Sequence, residues 1–354
     1  RNRKIRCGPQ VLLSPGKIWI LNRVLYGGMW LPDNEGIVVR EHRGSFEVET
    51  ETGAVLCALR SKLRKTLIYP ESDNRYRSVE AVERIGVVSP VAIGDRVRIV
   101  RSEDETGVIE EVLPRRTKLS RVAPGRRVVE QVIIANADQL VTVFSVKNPT
   151  PHLRLLDRML VAAEMGGLTP VICFNKFDLH TDDMPDINGL YAGIGYRVIN
   201  TSAATGEGVD DLAETLRDRL TAIAGPSGVG KTSLLNRIRP GLGLKVKEVN
   251  LSTGKGRHTT TYLAAHKLDG RGMVIDTPGI REFSLWEIEP GDLPDWFPEM
   301  DTYTDGCKYQ DCAHVHEPRC AVKEAVEDGD ISRIRYESYV HLRGELAEKR
   351  KLEN

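Results

Sequence analysis

Gly225-Pro226-Ser227-Gly228-Val229-Gly230-Lys231-Thr232 lies between a short apolar run, residues 220–224, and a helix-like run, residues 233–238. Strand, Gly-rich turn and helix in that order are what the phosphate-binding pattern G-x-x-x-x-G-K-[ST] requires. The glycines let successive backbone N–H groups turn inward around phosphate oxygens, and the helix presents its positive N-terminal end to them. In that setting, with Ser233 opening the helix, Lys231 reaches the terminal phosphates and the Thr232 hydroxyl ligates Mg²⁺. A chance Gly-rich turn would lack this strand-then-helix context. More than half of the chain precedes this loop.

Upstream, Pro170-Val171-Ile172-Cys173-Phe174 reads as a buried strand with Asn175-Lys176-Phe177-Asp178 at its C-terminal end, where parallel α/β sheets bind ligands. Asn-Lys-x-Asp is a guanine-specificity pattern. A carboxylate at Asp178 can accept from both N1–H and the 2-amino group of guanine, whereas adenine leaves it desolvated and unpaired, which costs roughly 1–3 kcal/mol or more. Lys176 lies along the base and Asn175 ties this loop to the phosphate loop. A further strand, residues 196–199, ends in Asn200-Thr201-Ser202-Ala203, where Ser202 and Ala203 fit the loop whose backbone N–H contacts guanine O6. Ahead of it, residues 151–165 carry helical periodicity, and residues 131–135 and 139–145 read as strands.

Downstream, Gly272-Met273-Val274-Ile275-Asp276-Thr277-Pro278-Gly279 is a strand ending in D-x-P-G. Asp276 is expected at Mg²⁺, usually through water, and the N–H of Gly279 at the γ-phosphate. Gly256-Arg257-His258-Thr259-Thr260-Thr261 supplies a switch threonine that completes the Mg²⁺ shell when the γ-phosphate is present, Thr260 first and Thr261 next. The motifs therefore run guanine, guanine, phosphate loop, switch one, switch two, whereas an ordinary small GTPase begins with the phosphate loop. Joining the old termini and opening the chain elsewhere gives this order, so the reading is a circularly permuted α/β P-loop GTPase domain. Ile280 stands where Ras-type enzymes place the Gln that orients the attacking water. His258 is the nearest residue able to orient water and move a proton near neutral pH. It is the catalytic candidate beside Lys231 and Gly279.

Near the C-terminus, Cys307, Cys312, His314 and Cys320 form C-x4-C-x-H-x5-C. Three thiols and one imidazole close a tetrahedral structural Zn²⁺ site with no open position. His316 competes with His314 but fits the compact spacing less well. Residues 321–326 and 331–346 read as helical. Three other cysteines, Cys7, Cys57 and Cys173, are scattered, a pattern of a reducing compartment rather than a disulfide framework.

Before the nucleotide motifs, residues 36–40, 45–49, 54–58, 91–100 and 107–112 are short apolar or alternating runs. About five strands within roughly 80 residues suggest a small β-barrel, either an OB-fold or an SH3-like barrel. Net charge is zero, but residues 1–32 hold six basic residues and no acidic one. Basic clusters recur at Arg60-Ser61-Lys62-Leu63-Arg64-Lys65, at Arg75-Tyr76-Arg77 and at Arg115-Arg116-Thr117-Lys118. Each alone is an ordinary solvated loop; together in one half of the chain they point to nucleic acid. The Arg-rich leader is compatible with a removed transit peptide before it, yet carries no clear amphipathic helix. No apolar run approaches the roughly 20 residues of a membrane helix, so no membrane partner is expected.

Assembled, these features resemble the RsgA (YjeQ) family of small-ribosomal-subunit-dependent, circularly permuted GTPases. The resemblance runs from about residue 36 to residue 346 and includes Val143-Phe144-Ser145-Val146-Lys147-Asn148-Pro149 and Cys312-Ala313-His314-Val315-His316-Glu317-Pro318-Arg319-Cys320. It implies a multidomain chain: a basic extension 1–35, an OB-fold RNA-binding barrel 36–118, the permuted GTPase domain 119–289, and a zinc-binding α-rich domain 290–354. It also implies a late assembly factor that binds the small ribosomal subunit and its rRNA and hydrolyses GTP to GDP, with turnover stimulated by the subunit to time release. The expected protein is a monomer of the cytoplasm, or of an organelle matrix or stroma in a eukaryotic source. Switch two runs into the zinc domain through residues 280–290, so nucleotide state is expected to move that domain. Two competing readings are an RNA-binding regulator in which GTP is a static ligand, and a P-loop kinase. The guanine motif together with Asp276-Thr277-Pro278-Gly279 argues against the kinase.

Overall fold

The computed structural model describes residues 32–68, 81–84, 89–103, 105–123, 130–242, 263–268, 272–277, 285 and 288–353. Strands β1 (Glu35–Glu41), β2 (Ser45–Thr50) and β3 (Gly53–Leu59) form an antiparallel meander. Gly53, at φ 122°, supplies the positive backbone angle of the β2–β3 turn. A short 3₁₀ turn follows, and then the ribbon of β4 (Lys65–Ile68) with β5 (Ala81–Arg84). Strands β6 (Arg96–Arg101) and β7 (Thr106–Val112) pair antiparallel. β7 also runs parallel to β3, and β6 closes the ring against β1. This five-strand order, β1-β2-β3-β7-β6-β1, is the Greek-key barrel of the OB-fold, which decides between the two barrels the sequence allows. Alternation along β2 and β6 sends Phe46, Val48, Val97 and Ile99 inward onto Val38, Cys57 and Ile109.

The basic cluster at residues 115–118 does not form an open cationic patch. Arg115 makes two 2.7 Å bonds to fully buried Asp95, whose other contact is the N–H of Ala92. Arg116 pairs with Asp138 and Lys118 with Glu130. Past these residues the chain forms an antiparallel ribbon, β8 (Lys118–Val122) with β9 (Glu130–Ala135), and the Lys118–Glu130 pair spans its two strands. The run at 131–135 thus enters this ribbon and not the central sheet. Gly94, at φ 88°, lets the barrel meet the ribbon, since a Cβ there would lie 2.0 Å from the carbonyl of Ala135.

The second domain is built on β10 (Gln139–Ser145), α1 (Leu153–Met165), β11 (Thr169–Asn175), α2 (Ile187–Ile194), β12 (Arg197–Asn200), α3 (Val209–Leu216), β13 (Leu220–Ala224), α4 (Lys231–Ile238), β14 (Ala264–Lys267) and β15 (Met273–Asp276). The sheet order is β12-β11-β10-β13-β15-β14, parallel except for β14, whose outer edge meets β1 at Arg40 and Ala264. β10 and β13 are buried along their whole length, as strands covered on both faces must be. Residues 217–219 run from α3, the last helix of an ordinary GTPase, straight into β13, its first strand. The cut that compensates lies between β15 and β10. The barrel therefore leads into β10, and the C-terminal domain follows β15.

That last domain holds α5 (Pro298–Thr304), α6 (Ala321–Asp328) and α7 (Arg333–Glu353). α7 packs on α1 through a fully buried cation. Arg335 donates at 2.6 Å to Asp157 on α1 and at 2.6 and 3.1 Å to Glu299 on α5. Its guanidinium lies 4.6 Å from the Phe297 ring centroid and 5.7 and 5.9 Å from those of Tyr191 and Tyr196. Swinging this domain away from α1 would strand buried charge, at a cost of several kcal/mol. The expected nucleotide-driven movement of the whole zinc domain is therefore opposed at this seam.

Candidate nucleotide site and metal knot

The phosphate-loop glycines are required by backbone geometry. Gly225 (φ 144°) passes so near β10 that a Cβ would stand 2.0 Å from the carbonyl of Val143. At Gly230 (φ 95°) a Cβ would stand 2.3 Å from Asn175 Nδ2. Gly228 is also left-handed. The loop delivers its last turn into α4, which is fixed by buried Leu234 and Leu235. Lys231 Nζ donates to the carbonyls of Gly225 and Pro226 at 2.7 and 2.8 Å. Ser227, Thr232 and Ser233 line the same turn and first helical residues.

Asp276 stands beside this loop because β15 pairs with β13, Ile223 opposite Asp276. Burial raises its carboxyl pKa, against the opposing pull of Lys231 and the N–H of Thr277. Burial likewise lowers Lys231, with Asp276 acting the other way. Oδ1 of Asp276 is buried and has no hydrogen-bond partner among the described residues. A buried carboxylate oxygen at the end of β15, next to the strand that leads into the phosphate loop, fits a Mg²⁺ shell, reached directly or through water.

The base-reading loops are joined to the phosphate loop by one side chain. Asn175 is 1% exposed. It donates to the carbonyl of Val229 at 2.7 Å, and its oxygen accepts from Thr201 Oγ1 at 3.2 Å and the Ala203 N–H at 3.1 Å. The Ala203 N–H is therefore engaged within the protein. Lys176 sits at φ 60° and its ammonium reaches the carbonyl of Asn148. Asp178 accepts from Ser202 Oγ at 2.6 Å, and Ser202 Oγ accepts from the Thr205 N–H at 3.1 Å. Asn175, Lys176, Asp178, Ser202 and Ala203 thus meet the 225–233 turn at one end of the sheet. His258, Thr260, Thr261, Gly279 and Ile280 lie outside the described residues.

Cys307, Cys312, His314 and Cys320 come together with their ligand atoms within 4.8 Å of one another. Cys307 and Cys320 sulfurs lie 3.5 and 3.4 Å from His314 Nδ1 and 3.9 Å from each other. A tetrahedron with Zn–S bonds of about 2.3 Å has S–S edges of about 3.8 Å, so the donor set fits one zinc ion. Glu317, which carries no motif signal of its own in the sequence, organises the knot. Burial acts to raise its carboxyl, but the N–H groups of Ala313, Glu317, Val315 and His316 outweigh it and hold it down at about 2. Tyr336 and Tyr339 on α7 donate to the carbonyls of His314 and Ala313 at 2.8 Å each.

The RsgA GTPase family model matches residues 112–286. Over 318 residues the chain is 43% identical to the small ribosomal subunit biogenesis GTPase RsgA of Gemmatimonas aurantiaca, covering 88% of this chain and 97% of that protein. The chain belongs to the RsgA family. The protein of the same name from Thermotoga maritima is 39% identical over 322 residues, 89% of this chain and 98% of its own. Among solved structures, the RsgA-family chain is similar to YjeQ from Thermotoga maritima, with a TM-score of 0.67 and 37% identity over 89% of this chain and 98% of that one. It is also similar to YloQ, described as a circularly permuted GTPase, with a TM-score of 0.63 and 30% identity over 89% and 95%.

Proposed function

We propose that this chain is a GTPase that serves late assembly of the small ribosomal subunit, binding its rRNA through the barrel and leaving after GTP is hydrolysed. The observation that carries the reading is Asn175, which fastens the loop bearing Asp178 to the phosphate loop at Val229. A site that joins a guanine-selective carboxylate rigidly to a phosphate cradle holds both ends of one nucleotide. Asp178 reads the guanine edge, the N–H groups of residues 225–233 and the Lys231 ammonium hold the phosphates, and Thr232, Thr260 and Asp276 would hold Mg²⁺. When bound, Mg²⁺ neutralises charge on the β- and γ-phosphates. Lys231 steadies the charge that develops during transfer to water, and the Gly279 N–H fixes the γ-phosphate. With Ile280 unable to hold a water, His258 orients it.

The barrel, residues 36–118, works as the RNA-binding module, residues 119–289 as the GTPase, and residues 290–354 as a zinc-stapled support acting as part of a monomer. Zinc in the knot holds structure and performs no chemistry, and elemental analysis should return one zinc per chain. RNA affinity should fall steeply with salt. The expected compartment is the cytoplasm or, in an organelle, the matrix or stroma where ribosomes assemble. The deciding experiment is GTP turnover with and without purified small ribosomal subunits. Stimulation of about tenfold or more is expected, as for GTPases whose catalytic group needs a partner to complete it. A flat rate would leave GTP as a static ligand and sink the timing role.

A further inference from the structure

Asn175 is not the only link between the base end and the phosphate end of the cleft. Arg237, in the last turn of α4, extends across to the turn that follows Ser202. One of its terminal nitrogens donates to the carbonyls of Ala203 and Ala204 at 3.2 and 3.3 Å, and the other to the carbonyl of Thr205 at 3.0 Å. Three consecutive carbonyls thus face one planar cation, whose two terminal nitrogens span them in a fixed fork that a single-point ammonium does not reproduce. Position 206 is shaped to it: Gly206 is left-handed (φ 98°), and a Cβ there would lie 2.5 Å from the guanidinium. On the other side the helix cannot give way, because Leu234 and Leu235 anchor it in the core.

We infer that Arg237 is a positioning residue for base selection, a strap that sets how the Asp178 carboxylate meets the guanine edge. The path is short. The strapped turn includes Thr205, whose N–H donates to Ser202 Oγ, and that hydroxyl donates to Asp178. Release of the strap loosens the turn, and with it the hydroxyl that aims the carboxylate. The phosphate loop itself is untouched, because Arg237 contacts no residue of the 225–233 turn in these bonds. The inference rests on Asp178 reading guanine, as proposed above. A helix-terminal arginine that merely steadies the surface is the competing account.

The two accounts separate on nucleotide preference. GDP and inosine diphosphate share every phosphate contact and differ by the 2-amino group that meets Asp178, so their affinity ratio reports the base end alone. Wild-type protein is expected to prefer GDP. In Arg237→Ala that preference should fall by about fivefold, as expected for loss of partly exposed charge-assisted bonds. Arg237→Lys, which keeps the charge but not the fork, should fall between the two. Arg237→Gln carries the test if the alanine variant does not fold. Both affinities are read by displacement of a fluorescent guanine nucleotide, with melting temperature recorded alongside. A GDP-to-inosine-diphosphate ratio within twofold of wild type in Arg237→Ala, or in Arg237→Gln where the alanine variant does not fold, overturns the strap, whatever happens to melting. Equal binding of the two nucleotides by the wild-type chain would overturn the guanine reading and the strap together.

Discussion

The base end and the phosphate end of the cleft are built on opposite terms. At the base end the motif side chains are tied within the protein: Asn175 makes three bonds, Asp178 is held by Ser202, and Arg237 caps the turn. Behind it, the Arg335 cluster packs Tyr191 and Tyr196 against the strands that carry these loops. At the phosphate end Lys231 and Asp276 are displaced from their ordinary pKa values by burial, and Asp276 keeps an oxygen without a partner among the described residues. The contrast follows from what each end must do. Discrimination between bases needs a fixed geometry, while phosphate and Mg²⁺ bring charges large enough to satisfy groups left unsatisfied in the protein alone.

The largest test of this contrast is Lys231→Ala. It removes charge-assisted bonds that no neighbour replaces, so GTP and GDP affinity should fall on the order of 1000-fold. Titration calorimetry that found less than a tenfold loss would mean that the phosphate end does not depend on this cation. Next is Asp157→Ala, which leaves Arg335 buried with Glu299 alone and should cost about 3–5 kcal/mol of stability. Denaturant unfolding measures it, and a cost below 1 kcal/mol would show that the base end is not braced by the C-terminal domain. Asp178→Asn acts on the base end alone. GDP affinity should drop on the order of 100-fold as two acceptor contacts are lost. Xanthosine diphosphate should gain, because the new amide can donate to its 2-oxo group. Equal losses for both nucleotides would point to general damage.

The smallest effect is the one of opposite sign. The Asp276 pKa is raised in the folded state, so its contribution is fully present below the ordinary value of 3.8 and is lost as pH rises through the elevated folded value. At neutral pH the ionised carboxylate therefore costs stability. Asp276→Asn should raise the melting temperature at pH 7 by ~2–4 °C, corresponding to about 1 kcal/mol, while weakening Mg²⁺-dependent turnover. The gap from wild type should close as the pH is lowered. A melting temperature that fell at pH 7 would contradict the picture of a strained phosphate end.

Much of this site was legible as text because its motifs are local. A phosphate loop needs left-handed glycines at fixed offsets ahead of a helix, and a four-ligand metal knot needs cysteines and a histidine within a short span. Both constraints fall within about a dozen residues. Motif order was equally legible, and it exposed the permutation without any coordinates.

The sequence by itself thus determined that a guanine nucleotide domain is present, that it is permuted, and that a Cys₃His knot follows it. Tertiary structure alone decided the rest. Whether five strands make an OB-fold depended on β1 meeting β6 and β3 lying parallel to β7, pairings between distant segments that alternation cannot reveal. Arg335 and Arg237 look in the sequence like any charged helical residues, yet one is sealed among Asp157, Glu299 and three rings and the other straps a distant turn. Arg115, Arg116 and Lys118 read as a cationic patch until their acidic partners, remote or modestly separated in sequence, were brought beside them. The physical reason is common to all of these. Backbone conformation is written in neighbouring residues, but the partner of a charge or a strand edge is chosen by the fold.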